Sequence, residues 1–105
     1  MPFDPAPAPK TEVGQFQRLA DAMLRGCALR PVQCTRNYFE GDDAACAIGA
    51  LIVGLTGRTD FCGLDGEEVT PMELSYFQRY GTSIPADNDR RGFTREEIAA
   101  RIAAL

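Results

Sequence analysis

Apolar residues recur at helical spacing in three stretches of this chain and run uninterrupted through a fourth. In the first, Val13, Phe16, Leu19, Ala20, Met23, Leu24 and Cys27 fall at three- and four-residue steps. That spacing predicts a helix from Thr11 to Gly26, with Gln15, Gln17, Arg18, Asp21, Ala22 and Arg25 on its other side. Thr11 suits the N-cap and Gly26 the C-terminal stop. Leu29 to Gly41 breaks the period. It mixes β-favouring residues with Pro31 and ends in turn chemistry, as a loop or short edge strand does.

The uninterrupted run is Ala44-Ala45-Cys46-Ala47-Ile48-Gly49-Ala50-Leu51-Ile52-Val53-Gly54-Leu55, apolar on every side. Asp42 or Asp43 is placed to cap it, and it ends in the Gly54 to Gly57 stretch. A helix without a polar face must be wrapped by the rest of a small domain, so this one is expected at the hub. At about 12 residues it falls short of the roughly 20 that cross a bilayer. Glycines on such a helix are expected where another backbone approaches closely.

After a polar connection from Arg58 to Glu68, Thr70, Pro71 and Glu73 carry the chemistry of a capping box, with Val69 and Leu74 as its hydrophobic staple. This third helix is expected to continue through Tyr76, Phe77 and Tyr80 to Gly81. Residues 82–92 read as a loop with a short extended piece at Ile84. The start signal then recurs, with Thr94 and Glu97 as box and Phe93 and Ile98 as staple. The fourth helix is expected to turn Ile98, Ile102 and Leu105 inward and Arg95 and Arg101 outward. The predicted fold is a mainly α, four-helix domain over residues 11–105 around the central apolar helix, with one short β-strand or hairpin allowed. Residues 1–10, with alternating prolines, read as an extended disordered tail without the features of a signal peptide, and a cytoplasmic setting is expected.

The chain has 105 residues and a formal net charge of −4, unevenly spread. Residues 1–36 carry +2 and residues 37–105 carry −6. Neither nucleic acid nor an anionic membrane is expected as a direct partner, since both need concentrated positive charge.

Histidine is absent, which removes the commonest general base, the commonest metal ligand and every Ser-His or Cys-His nucleophile. No glycine-rich phosphate loop is present: Gly49, Gly54 and Gly57 lack the spacing and the lysine. Cys27, Cys34, Cys46 and Cys62 contain no Cys-x-x-Cys pair and are expected as free thiols, Cys27 and Cys46 buried, Cys34 and Cys62 exposed. Asp87-Asn88-Asp89-Arg90-Arg91-Gly92 imitates the start of a calcium loop, but Arg91 stands at a ligand position and Ile98 where a bidentate carboxylate is needed. A loop of paired acids and arginines leading into the helix is expected instead. The helix from Thr94 resembles the first of a helix-turn-helix pair, but Leu105 comes before any recognition helix, so no DNA reading is expected from it. No metal and no cofactor are predicted.

Cys46-Ala47-Ile48-Gly49-Ala50, together with Asn88-Asp89 and Thr94-Arg95-Glu96-Glu97-Ile98-Ala99, resembles a group of small uncharacterised bacterial and phage proteins. These share a Cys-Ala-hydrophobic-Gly-Ala helix, a later Asn-Asp pair and a Ser/Thr-Arg-Glu-x-Ile-Ala helix. The matches cover about a quarter of the chain. Other members carry a histidine near the Asn-Asp pair and a Cys-Pro-x-Cys turn, which this chain lacks, so no metal role carries over. The resemblance implies a shared fold and a phage or prophage setting.

The leading expectation is a non-catalytic protein-binding module, a mobile-element inhibitor of anti-CRISPR type. It would occupy a basic surface of a host nucleic-acid-handling complex. Asp42, Asp43, Asp60, Asp65, Glu67 and Glu68 would face that surface, the acids standing in for phosphates. Tyr76, Arg79 and Tyr80, of residue types that commonly anchor interfaces, complete the candidate contact set. The alternative is a small regulatory or structural protein that self-associates through an aromatic helix face. A third reading is a carboxylate hydrolase built on Asp87, Asp89 and Glu97.

Overall fold

The apolar run does lie at the centre of the fold, but it begins as a strand and only then becomes a helix. A computed structural model describes residues 12–60 and 66–105, the side chains of Glu12 and Val13 excepted. The expectations for the tail, Thr11, Val13, Cys62 and Asp65 lie outside the described residues. The described elements are α1 (Glu12–Leu29), β1 (Val32–Gln33), β2 (Phe39–Glu40), β3 (Ala44–Ala45), α2 (Ala47–Thr56), α3 (Gly66–Tyr80), α4 (Ile84–Asp89) and α5 (Arg95–Ala103). The fold is mainly α with a small three-stranded sheet.

The sheet has order β1-β3-β2, with β3 parallel to β1 and antiparallel to β2. Neither Asp42 nor Asp43 caps a helix, because Ala44 and Ala45 take the central place in this sheet. Cys46 is the N-cap instead, its Sγ accepting from the Gly49 N–H at 3.4 Å. Arg30, just past the end of α1, fastens the hairpin. Its Nε donates to the Ala44 carbonyl at 2.8 Å and its Nη2 to that of Gly41 at 2.6 Å. At its other end α2 closes as expected, on Gly57 at φ 72° with its N–H on the Val53 carbonyl.

Helices α1 and α2 make the most extensive packing in the molecule, and glycine is the reason. A Cβ on Gly26 would overlap the Ala50 carbonyl, and one on Gly54 the Ala22 carbonyl. Gly26 therefore does not stop α1 but sits inside it, where the two backbones touch. For the same reason Ala22 is buried rather than on the solvent side, while Leu24, expected inside, is 44% exposed. On α2, Gly49 leaves room for the Tyr38 carbonyl of the hairpin. One core cluster includes Leu19, Met23, Leu51 and Ile52 from these helices and Met72, Tyr76, Ile98 and Ile102 from the others.

Helix α3 starts one turn earlier than the capping signal predicts and runs through Pro71. Val69, Met72 and Tyr76 share its buried face, and Glu67 and Glu68 place negative charge at the dipole's positive end. Leu74 is 59% exposed, so the predicted staple with Val69 is not made. Residues 84–89, expected as loop, form the short helix α4, with Ser83 as N-cap accepting from the Ala86 N–H and Pro85 in its first turn. Before α5 the predicted box is complete: Thr94 Oγ1 accepts from the Glu97 N–H at 3.0 Å and Glu97 Oε1 from the Thr94 N–H at 2.8 Å.

Arg95 and Arg101 do not point outward as expected. Arg95 is 3% exposed, and its guanidinium donates to the carbonyls of Arg30, Pro31 and Ala45. It thereby joins α5 to the end of α1 and to the sheet. Arg101 lies over the rings of Tyr80 and Phe93, with Cζ 3.8 and 4.8 Å from their centroids. Among the described residues no helix is long and apolar enough to cross a membrane.

Candidate functional site

Buried polar residues gather at two places around α4, the first where the hairpin, the first turn of α2 and α4 meet. Asn88 on α4 is 2% exposed and fully engaged. Its Oδ1 accepts from the Ala47 N–H at 3.0 Å and from Gln33 Nε2 at 2.8 Å. Its Nδ2 donates to the Cys34 carbonyl at 3.0 Å and to Asp89 Oδ1 at 2.7 Å. One amide thus ties α4 to β1, to the start of α2 and to its own neighbouring carboxylate. The local reason is the Ser83–Pro85 start, which forces a helical turn and sets Asn88 against the sheet.

Beside Asn88 lies a cavity of about 170 Å³. Arg36, Asn37 and Asp89 supply its polar rim, and Cys46, Ile48 and Pro85 much of its apolar wall. Arg36 has φ 70°, the left-handed region that non-glycine residues seldom occupy. Burial pushes the Cys46 thiol up, and the Asp89 carboxylate pushes it the same way. Burial, followed by the neighbouring Cys46, also raises Cys34, which is 7% exposed rather than on the surface as expected. A thiol held protonated is a weak nucleophile.

No known protein family, curated protein or solved structure matches this chain. The site must be read from its own geometry. Cys46 and the Asn88–Asp89 pair, 41 residues apart at their nearest hydrogen-bonded positions, Ala47 and Asn88, line the same cavity.

A second buried cluster lies on the other side of α4. Asp87 is 0% exposed; Tyr76 Oη donates to its Oδ2 at 2.5 Å, with Arg101 Nε 3.7 Å from that oxygen and Arg91 Nε 3.5 Å from Oδ1. Burial, then the hydrogen bond to Asp87, pushes the Tyr76 hydroxyl well above the ordinary tyrosine range. The expected pairing of acids and arginines is present here, though on a helix rather than in a loop. Asp87, Asp89 and Glu97 do not converge. Asp87 faces Tyr76, Asp89 the cavity, and Glu97 is engaged in the capping box.

The candidate contact residues are scattered. Asp42 and Asp43 are exposed side by side on the β2–β3 turn, whereas Asp60 follows the opposite end of α2 and pairs with Arg58 at 3.1 Å. The ten residues of α2 separate the two groups by about 15 Å. Glu67 is exposed, and Glu68 is half-buried in an ion pair with Arg18. Tyr76 is wholly buried and cannot meet a partner, because its ring faces the core and its hydroxyl meets Asp87. Arg79 is exposed beside Tyr80, whose hydroxyl donates to the Arg101 carbonyl at 2.7 Å.

Sequence reasoning passed over Arg36, Asn37 and Arg95. No periodic signal marks the first two, which sit in the aperiodic connection before β2. Arg95 looks like an ordinary solvated position in the first turn of a helix until the sheet is in place to receive it.

Proposed function

We propose that this protein is a non-catalytic binding module that docks on a larger protein through the outer face of α3. One observation carries the reading: Leu74 and Phe77, one helical step apart, are 59% and 58% exposed on the side opposite buried Val69, Met72 and Tyr76. Two large apolar side chains held open on one helix suit the centre of an interface. Glu67 stands exposed at the start of that helix and Arg79 near its end. The partner that suits the net charge of −4 is a basic surface of a host nucleic-acid-handling complex, engaged by an inhibitor of anti-CRISPR type. Asp42 and Asp43, at a distance, would add steering rather than contact.

The test is a binding assay between the purified chain and such a complex at several salt concentrations. Wild type is expected to bind, to weaken as salt rises, and to lose binding in Leu74→Glu and Phe77→Glu while Asp42→Asn changes it little. Binding that survives both α3 substitutions would remove this face from the interface. The same face favours a second reading, self-association. Sedimentation showing a dimer that both α3 substitutions convert to monomer would favour it.

A further inference from the structure

The cavity beside Asn88 carries two opposite charges that do not satisfy each other. Arg36 makes no hydrogen bond or ion pair with any described residue, and no ion pair joins it to Asp89 across the cavity they both line. Asp89 spends one carboxylate oxygen on Asn88 Nδ2 at 2.7 Å, which orients the group, and the second oxygen has no partner among the described residues. The other polar groups at this corner are already in use. The Ala47 N–H is taken by Asn88, the Gly49 N–H by Cys46 Sγ, and Asn37 Nδ2 by Glu40 at 2.8 Å. Arg36 is the cation at the rim of this cavity.

Three properties select the ligand. A volume of about 170 Å³ is well below the roughly 300 Å³ at which sites for drug-sized ligands begin, so nucleotides are too large. An unpaired guanidinium and an unpaired carboxylate on one cavity call for a ligand with a carboxylate and an ammonium of its own. Ile48, Pro85 and the neutral Cys46 thiol give it an apolar wall. Arg36 has a left-handed backbone at φ 70°, a region that non-glycine residues seldom occupy.

We propose that this cavity binds a free zwitterionic α-amino acid with a small apolar side chain. The carboxylate lies on Arg36, the ammonium on Asp89, and the side chain against Ile48 and Pro85. Asn88 is a positioning residue that aims Asp89 without touching the ligand. No residue of α3 lines this cavity, so the proposal stands apart from the docking face.

The experiment is a titration of the full chain, followed through its backbone amide NMR signals, with L-valine, N-acetyl-L-valine and L-valine amide. L-Valine is expected to shift the Asn37, Cys46 and Asp89 signals saturably near the millimolar range, and each blocked form, lacking one charge, to bind about tenfold or more weakly. Arg36→Asn keeps a residue that tolerates positive φ, and Asp89→Asn keeps an oxygen for Asn88, so both retain the fold. Each is expected to weaken L-valine by about tenfold or more. The proposal is overturned if glycine, L-alanine and L-valine all give no saturable shift, if a blocked form binds as well as L-valine, or if either variant binds like wild type.

Discussion

The α1–α2 crossing and the corner around α4 are held by opposite means. At the crossing two backbones touch through Gly26 and Gly54, with Ala22 and Ala50 opposite them. At the corner, side chains fully withdrawn from water (Asp87, Asn88 and Arg95) hold the elements together by hydrogen bonds and charge. The first arrangement depends on what is absent from a side chain and tolerates no added atom. The second depends on individual hydrogen bonds and charge contacts, with Arg95 Nε left without a hydrogen-bond partner among the described residues, and weakens by the particular bond removed.

The largest effect is expected from adding atoms at the crossing. Gly54→Leu places a side chain into the Ala22 carbonyl, which no rotamer relieves, so the helices must part. A loss of at least about 3 kcal/mol is expected, a large share of the 5–15 kcal/mol typical of a domain. Urea denaturation followed by circular dichroism measures it. A stable Gly54→Leu variant would mean that the two helices do not cross there.

Asn88→Ala is the matching test of the corner. It strands the Ala47 N–H and the Cys34 carbonyl and releases Asp89, with an expected loss of about 2–4 kcal/mol. Unlike Gly54→Leu it leaves the α1–α2 contact intact. Hydrogen exchange should therefore quicken at α4 and at the first turn of α2 well before α1. Uniform quickening over both regions would show that the two are one cooperative unit.

Tyr76→Phe removes a single bond from the same corner and should cost about 1–2 kcal/mol at neutral pH. Its pH dependence sharpens the point. The folded chain holds the Tyr76 hydroxyl protonated beyond the ordinary range, so the unfolded chain releases that proton first as pH rises. Stability should then fall as pH climbs above about 10, the ordinary tyrosine value, and fall less steeply in Tyr76→Phe. Equal slopes for the two proteins in paired alkaline denaturation curves would contradict the buried bond to Asp87.

The two regions were also unequally legible in the sequence. The hub could be read because a run with no polar face has only one place to go, and the glycines on α2 already implied close approach. Gly26 was misread as a stop because stop and crossing use the same residue, and only the partner helix distinguishes them. At the corner, Ser83 and Pro85 carried a helix signal hidden by the turn-forming residues after it. Arg95 was read as a surface charge because charged residues are seldom buried unless paired, and Asp87 as a loop acid paired with arginine. Their partners, backbone carbonyls from 50 or more positions away and Tyr76 on another helix, leave no local trace. Cys46 and Asn88–Asp89 were visible as motif pieces, but that they line one cavity depends on the tertiary arrangement.

Helix α5 belongs to both regions, and its cap separates them most finely. Ile98, Ala99 and Ile102 join the core cluster that includes α1, while Arg95 one residue after the cap serves the corner. Thr94→Ala removes the acceptor of the Glu97 N–H and should cost about 1 kcal/mol, measured by thermal denaturation. The first turn carries Arg95, so its loosening should reach the carbonyls of Arg30 and Pro31 before it reaches Ile102. Faster exchange is expected at the Glu97 and Ile98 amides, with the α1–α2 crossing unchanged. If instead the crossing loosens first, α5 is held by its apolar face alone and the buried guanidinium does not couple the cap to the sheet.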